Sequence, residues 1–142
     1  MSDITGAVPV NVDSYVVEPQ SLFVPYLSEV LQTAEMRVVR VATYLDVDDI
    51  RRTGPDALFV DTDFLEMDPA EAVSAMRAAL PRAFICAYTE GEGPSRADRL
   101  RYAGANVVLS KRLGPGEISE NLREARGMGK RTIETVRGEF DV

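Results

Sequence analysis

The stretch PDALFVDTDF, residues 55–64, decides the predicted fold of this chain. Four apolar residues, 57–60, are followed at once by Asp61, and a second aspartate stands at Asp63. A short apolar run of this kind is typical of a strand that is buried on both faces of a sheet. Because a carboxylate is costly to remove from water without a compensating partner, Asp61 predicts either a simple surface turn or a group presented for chemistry.

The rest of the chain alternates short apolar runs with amphipathic stretches. Strands are predicted at YVVE (15–18), MRVVRVA (36–42), ALFV (57–60), AFICA (83–87) and NVVL (106–109). Helices are predicted at SLFVPYLSEVLQTA (21–34), YLDVDDIRRTG (44–54), after Asp68, at SRADRLRYAGA (95–105) and at GPGEISENLREARGMG (114–129). This alternation predicts an α/β fold, a doubly wound, five-stranded parallel sheet flanked by five helices in a flavodoxin-like sandwich.

Several helix ends carry local signals. Asp68, followed by Pro69 and Glu71, predicts the start of the third helix, because an aspartate caps free N–H groups and proline suits the first helical position. Gly54 predicts the end of the second helix, and Ser95 in capping-box spacing predicts the start of the fourth. The first helix is expected to bury one apolar stripe, made of Leu22, Phe23, Tyr26, Leu27, Val30 and Leu31.

Length and charge narrow the functional classes. The 142 residues favour one domain, which we expect over residues 14–126, with a flexible N-terminal leader at 1–13 and a C-terminal tail or short helix at 127–142. The formal net charge of −7 argues against nucleic-acid or anionic-membrane partners. The start of the chain lacks signal-peptide features, and the single cysteine, Cys86, lies in an apolar run. A cytoplasmic location is therefore expected.

The sequence contains no histidine. This absence excludes Ser-His-Asp and Cys-His catalysis, the usual metal sites that contain histidine, and phosphohistidine chemistry carried by the chain itself. A histidine that takes part in the function must therefore come from a partner.

Polar side chains follow four of the predicted strands. Glu18 follows or ends the first, Asp61 the third and Lys111 the fifth, while Tyr88 and Thr89 follow the fourth. The carboxyl ends of parallel strands meet at one edge of the sheet, where function concentrates in open α/β folds. A carboxylate, a hydroxyl and an ammonium are therefore predicted to converge there.

Two segments, PDALFVDTDFLEMDPAE (55–71) and RLRYAGANVVLSK (99–111), resemble the receiver domains of two-component response regulators. The resemblance covers about residues 14–126 and implies that Asp61 is the phospho-acceptor. It further implies that Thr89 donates a hydroxyl hydrogen bond to the phosphoryl group and that Lys111 neutralises one of its oxygens. Tyr88 is the alternative to Thr89 at that position.

The same resemblance implies a cofactor and partners. Mg²⁺ would be held by Asp61, Glu18 and the backbone carbonyl of Asp63. A histidine kinase or a histidine phosphotransfer protein would supply the phosphoryl group. A downstream target protein would bind through the fourth and fifth helices and the fifth strand, and a second copy of the chain, in a homodimer, is a further candidate partner. The expected class is a single-domain signalling module without an enzymatic activity of its own.

Several positions depart from the receiver pattern. Pro19 stands where a second acidic residue is usual, Val108 replaces the aromatic switch residue, and Arg112 replaces the proline after the lysine. These departures leave open a phosphorylation-independent pseudo-receiver that acts as an interaction or dimerisation module. A small-molecule or nucleotide binder on the same fold is less favoured, because EPQS (18–21) is not a glycine-rich phosphate loop.

Overall fold

The computed structural model describes residues 12–91 and 93–128 as one doubly wound α/β unit. Five parallel strands form a single sheet in the order β2-β1-β3-β4-β5. The strands are β1 (Val12–Val17), β2 (Met36–Ala42), β3 (Ala57–Asp61), β4 (Phe84–Thr89) and β5 (Val107–Ser110). The helices are α1 (Val24–Thr33), α2 (Val47–Thr53), α3 (Pro69–Ala79), α4 (Pro94–Ala103) and α5 (Pro115–Met128). The predicted fold class is confirmed.

The central strand β3 shows why its sequence is apolar at every position. Ala57 and Phe59 face one layer of the core, which includes buried side chains of α1 and α5. Leu58 and Val60 face the opposite layer, which includes buried side chains of α2, α3 and α4. Successive strand residues point to opposite faces, so both parities must be apolar when helices cover both sides. Full burial of a side chain the size of Phe59 contributes about 1.5–3 kcal/mol.

The ends of α2 and α3 follow their sequence signals. The Asp68 carboxylate accepts a hydrogen bond from the N–H of Glu71 at 3.1 Å, and Pro69 is the first helical residue. Gly54 ends α2 in the left-handed conformation, with φ +61°. The Ser95 prediction is wrong, because α4 begins at Pro94 without a side-chain cap. Proline suits the first helical position, so the helix starts one residue before Ser95.

The predicted apolar stripe of α1 is only partly correct. Residues Ser21–Phe23 form a 3₁₀ turn, and the α-helix begins at Val24. Leu27, Val30 and Leu31 are buried, whereas Leu22 is 84% exposed and Phe23 and Tyr26 are also exposed. A 3₁₀ turn has three residues per turn, so Leu22 and Phe23 do not continue the 3.6-residue stripe of the α-helix. Tyr26 lies within α1 and lines an open cavity.

The bounds of four strands, β1, β3, β4 and β5, differ from the predictions, whereas the predicted division into leader, domain and tail stays a prediction. β1 begins at Val12 and ends before Glu18, and β4 continues through Thr89. The first strand and the last helix, which ends at Met128, extend two residues beyond the predicted 14–126 at each end. The remaining parts of the predicted leader and tail, 1–11 and 129–142, lie outside the described residues. Within the described ranges, no helix is both long enough and apolar enough to cross a membrane.

Strand order reverses between β1 and β3, which are neighbours in the sheet although β2 lies between them in sequence. The crevice at the carboxyl ends of these two strands is where ligands bind in open α/β sheets. Glu18 and Asp61 stand at this point, and Lys111 follows β5 two strands away.

One arginine ties α3 to the segments around β4 and β5. The guanidinium of Arg77 donates hydrogen bonds to the backbone carbonyls of Leu80, Pro81, Ala83 and Gly104 and to Asn106 Oδ1. Burial lowers the pKa of this guanidinium from its ordinary value. Gly104 must remain glycine, because its φ is +131° and an added Cβ would lie 2.8 Å from Cβ of Arg77.

We expect Arg77→Met to lower the free energy of unfolding by about 2–4 kcal/mol, because several acceptors would lose their donor. Urea unfolding of the variant and the parent measures this loss. Arg82→Met, which removes an exposed arginine from the following loop, is the control and should change stability by less than about 0.5 kcal/mol. Equal effects of the two substitutions would contradict the structural role of Arg77.

Candidate functional site

The carboxylate that ends β3 is buried against a lysine. Asp61 is 1% exposed, and Lys111 Nζ lies 2.8 Å from both Asp61 Oδ1 and Asp61 Oδ2. Lys111 is placed by its backbone, whose N–H donates to the carbonyl of Thr89 at 3.0 Å. The ammonium therefore supplies the compensation that a buried carboxylate needs.

A second carboxylate, that of Asp63, contacts both the Thr89 hydroxyl and the Lys111 ammonium. Asp63 Oδ1 accepts a hydrogen bond from the Thr89 hydroxyl at 3.0 Å. Asp63 Oδ2 accepts from the backbone N–H of Glu90 at 2.8 Å and lies 2.9 Å from Lys111 Nζ. Burial lowers the pKa of Lys111, but its hydrogen bonds to Asp61 and Asp63 outweigh burial and raise this pKa above its ordinary value.

The side-chain contacts of Asp63 were missed from the sequence, which assigned only its backbone carbonyl to the site. The available signal was the spacing of two between Asp61 and Asp63, since residues i and i+2 of an extended segment project to the same side. The N–H of Asp63 also donates to Asp61 Oδ1 at 3.0 Å, which fixes the start of this loop.

The structure separates the roles of Tyr88 and Thr89. The Thr89 hydroxyl reaches Asp63, and Thr89 is fully buried. Tyr88 forms an apolar wall instead, with its ring centroid 5.2 Å from that of Phe59 and 5.4 Å from Lys111 Nζ. Thr89 thus lies in the polar cluster with Asp61 and Lys111, although its hydroxyl is bonded to Asp63.

Glu18 brings a third carboxylate to the site. It is fully buried, and one of its oxygens accepts the N–H of Gln20 at 2.9 Å. Its other oxygen, Oε1, has no hydrogen-bond partner among the described residues. Burial, together with the neighbouring carboxylate of Asp61, raises the pKa of Glu18 to about 7.

The carboxylates of Glu18 and Asp61 are of the chemical type that binds Mg²⁺. In the part of the chain that the structure describes, no group of three or more His, Cys, Asp or Glu side chains is arranged to hold a metal. Glu18 and Asp61 nevertheless provide two carboxylates, and the unpartnered Glu18 Oε1 is an oxygen that a cation would satisfy. Mg²⁺ is commonly bound by one or two carboxylates with waters and phosphate oxygens. The assignment of the Asp63 backbone carbonyl as a further ligand of Mg²⁺ stays a prediction.

An open cavity of about 460 Å³ gives access to the site. Its lining is mostly apolar and consists of Glu18, Phe23, Tyr26, Leu27, Asp61, Tyr88 and Lys111. The ring of Phe64 lies beside the ammonium, with its centroid 5.1 Å from Lys111 Nζ. Asp61 itself is almost wholly buried and is reached through this cavity.

Comparison with known proteins identifies the fold. No protein-family model and no curated protein matches the sequence. The signal receiver domain of NarL from Mycobacterium tuberculosis is similar in structure, with 23% identity, a TM-score of 0.71, and coverage of 84% of this chain and 99% of that domain. The BeF3-activated DrrB receiver domain gives 15% identity, a TM-score of 0.67, and coverage of 82% and 97%.

The chain has the receiver fold. A structure described as the pilus assembly protein cpaE of Burkholderia thailandensis is also similar, with 18% identity, a TM-score of 0.68, and coverage of 82% of this chain and 98% of that one. At such identities, the comparisons show the architecture alone.

Within this receiver fold, Val108 is fully buried in the core layer that includes α3 and α4. It has no polar tip to alternate between buried and exposed positions. After Lys111, the N–H of Arg112 donates to Ser110 Oγ at 3.0 Å, which closes the turn that follows β5.

We expect Lys111→Met to lower the free energy of unfolding by about 2–4 kcal/mol at pH 7.5, because Asp61 and Asp63 would lose the cation between them. Urea unfolding measures this loss. The control is Arg51→Met, which breaks the exposed pair with Asp48 and should cost less than about 1 kcal/mol. A comparable loss of unfolding free energy in both variants would show that breaking the buried ion pair costs no more than breaking an exposed one.

We expect the contribution of Glu18 to the free energy of unfolding to decrease as pH rises from about 4.5 to 7. Because the pKa of Glu18 is raised, the folded state binds this proton more tightly than the unfolded state does. Protonated Glu18 therefore stabilises the fold fully below the pKa of the unfolded state. This contribution is lost as pH rises through the pKa of the folded state. Relative to the parent, Glu18→Gln should be more stable at pH 8 by about 1–3 kcal/mol and similar at pH 4.5.

The measurement is urea unfolding of the Glu18→Gln variant and the parent at several pH values in a chelating buffer. A difference between the two proteins that stays constant with pH would contradict the raised pKa of Glu18.

Proposed function

We propose that this protein acts as a response-regulator receiver that accepts a phosphoryl group on Asp61 from a histidine kinase or a histidine phosphotransfer protein. The observation that carries the proposal is the placement of Lys111 Nζ 2.8 Å from both oxygens of Asp61, beside Thr89 and at the switch point of the sheet. The DrrB structure supports the same reading, because it is a receiver of this fold that BeF3 activates.

The residues suit transfer of a phosphoryl group from an imidazole nitrogen to a carboxylate oxygen. An oxygen of Asp61 bonds to phosphorus while the bond from phosphorus to the partner's imidazole nitrogen breaks. The donor ring, protonated on its other nitrogen, leaves with the electron pair as neutral imidazole. Since little covalent help is needed, catalysis depends on positioning and on charge stabilisation.

Lys111 supplies the positive charge in this scheme. It already holds Asp61 in a fixed position on a rigid strand, so the nucleophile requires little reorganisation. Mg²⁺, when bound near Glu18 and Asp61, would neutralise further charge on the phosphoryl oxygens. Because the chain contains no histidine, the phosphohistidine belongs to the partner.

The output is proposed to be a contact with a target protein, through α4, β5 and α5. Addition of about 1.5 to 2 negative charges changes the electrostatics beside the β4–α4 segment. Tyr102 on α4 is 96% exposed and offers an aromatic contact to such a partner. We place the protein in the cytoplasm, where its single cysteine stays reduced. Action as a single-domain regulator and formation of a homodimer stay predictions.

The second candidate is a pseudo-receiver that works without phosphate. Three observations favour it: Pro19 provides no ligand, Asp61 is almost fully buried, and the Thr89 hydroxyl is committed to Asp63. The structural similarity to a protein described as a pilus assembly protein also supports a use of this fold apart from phosphoryl transfer.

Incubation with acetyl phosphate and Mg²⁺, followed by intact-protein mass spectrometry, tests the two candidates. We expect one phosphoryl group on the parent and none on Asp61→Asn. Asp48→Asn, which removes an exposed carboxylate, is the control and should be labelled like the parent.

Labelling that persists in Asp61→Asn would place the modification elsewhere and overturn the assignment. No labelling of the parent at millimolar Mg²⁺, and no binding of beryllofluoride, would favour the pseudo-receiver.

A further inference from the structure

We infer that Asp63 is a built-in anion that occupies the donors needed by a phosphoryl group, so that modification of Asp61 requires its displacement. The inference rests on the proposed function of Asp61 and concerns the regulation of that same site. Asp63 is held by three donors of three kinds: the Thr89 hydroxyl, the Glu90 backbone N–H and the Lys111 ammonium.

The number of available protons makes this occupancy competitive. An ammonium has three N–H groups, and Lys111 Nζ faces three carboxylate oxygens, two from Asp61 and one from Asp63. A hydroxyl has one proton, and Thr89 gives it to Asp63 Oδ1 while its own oxygen accepts the N–H of Gly91 at 3.0 Å. A phosphoryl oxygen on Asp61 can take a hydrogen bond from Thr89 only when Asp63 releases it.

Charge adds to the competition. A phosphoryl group carries about 1.5 to 2 negative charges, and Asp63 and Asp61 both lie within 3 Å of the same ammonium. Like charges this close, with Asp63 only 16% exposed, repel more strongly than surface charges do. Asp63 therefore opposes a phosphoryl group both by holding its donors and by its own charge.

The same contacts have a consequence for the β4–α4 segment. Asp63 draws Thr89 and Glu90 toward the site in the absence of a phosphoryl group. Displacement of Asp63 by a phosphoryl group would therefore exchange one anion for another as the acceptor of the Thr89 hydroxyl and the Glu90 N–H.

The test is a titration with beryllofluoride and Mg²⁺, followed by ¹⁹F NMR, on the parent and on Asp63→Asn, which keeps the shape of the side chain but removes its charge. We expect about tenfold tighter binding by Asp63→Asn, and loss of this binding when Asp61→Asn is added. The matched control is Glu66→Gln, which removes one exposed negative charge from the same loop and should change the affinity by less than twofold.

A second measurement follows the Glu90 amide resonance in the same titration. In the parent, this resonance should move on binding, because Glu90 loses Asp63 as its acceptor; in Asp63→Asn the change should be smaller. Parent binding without tightening in Asp63→Asn, or with an unmoved Glu90 amide, would overturn the inference and leave the proposed function standing. Absence of binding by both proteins would overturn the two together. Binding by Asp63→Asn alone, dependent on Asp61, would support the inference about Asp63 and favour the pseudo-receiver as the function of the parent.

Discussion

The ion pair between Asp61 and Lys111 is the interaction on which the candidate site depends. It joins the ends of β3 and β5, which are separated in the sheet by β4, so its geometry requires the whole parallel arrangement to be correct. A buried pair of this kind contributes little net stability, because desolvation offsets most of the attraction, but loss of one partner is costly. It therefore acts as a constraint on the strand ends more than as a source of stability.

The charges around Lys111 are unbalanced in a way that suits a regulated site. Three carboxylates, those of Glu18, Asp61 and Asp63, converge near one ammonium. The excess negative charge is accommodated partly by the raised pKa of Glu18 and partly by the Thr89 and Glu90 donors that hold Asp63. A bound cation would neutralise part of this excess negative charge, and an incoming anion would have to displace one of the carboxylates from its donors. Unbalanced charges and shifted pKa values of this kind are frequent where a protein binds or exchanges charged groups.

Much of the fold could be predicted from short-range patterns. The apolar runs of β3 and β5 and the caps at Asp68 and Gly54 each depend on residues a few positions apart, and the structure bears them out. Predictions failed where two local signals competed. Pro94 prevailed over Ser95 at the start of α4, and the 3₁₀ turn before Val24 broke the apolar stripe of α1.

The sequence by itself determined the succession of strands and helices along the chain, and it placed Asp61, Thr89 and Lys111 at the ends of strands. It could do so because side-chain periodicity and capping are properties of neighbouring residues. Only the tertiary structure decided which hydrogen bonds these side chains form. It gave the Thr89 hydroxyl to Asp63, enclosed Asp61 behind Lys111, and left one oxygen of Glu18 without a partner among the described residues. The physical reason is that a hydrogen bond requires a donor–acceptor distance of about 3 Å, held to within a few tenths of an ångström, between strands far apart in sequence, which no local pattern specifies.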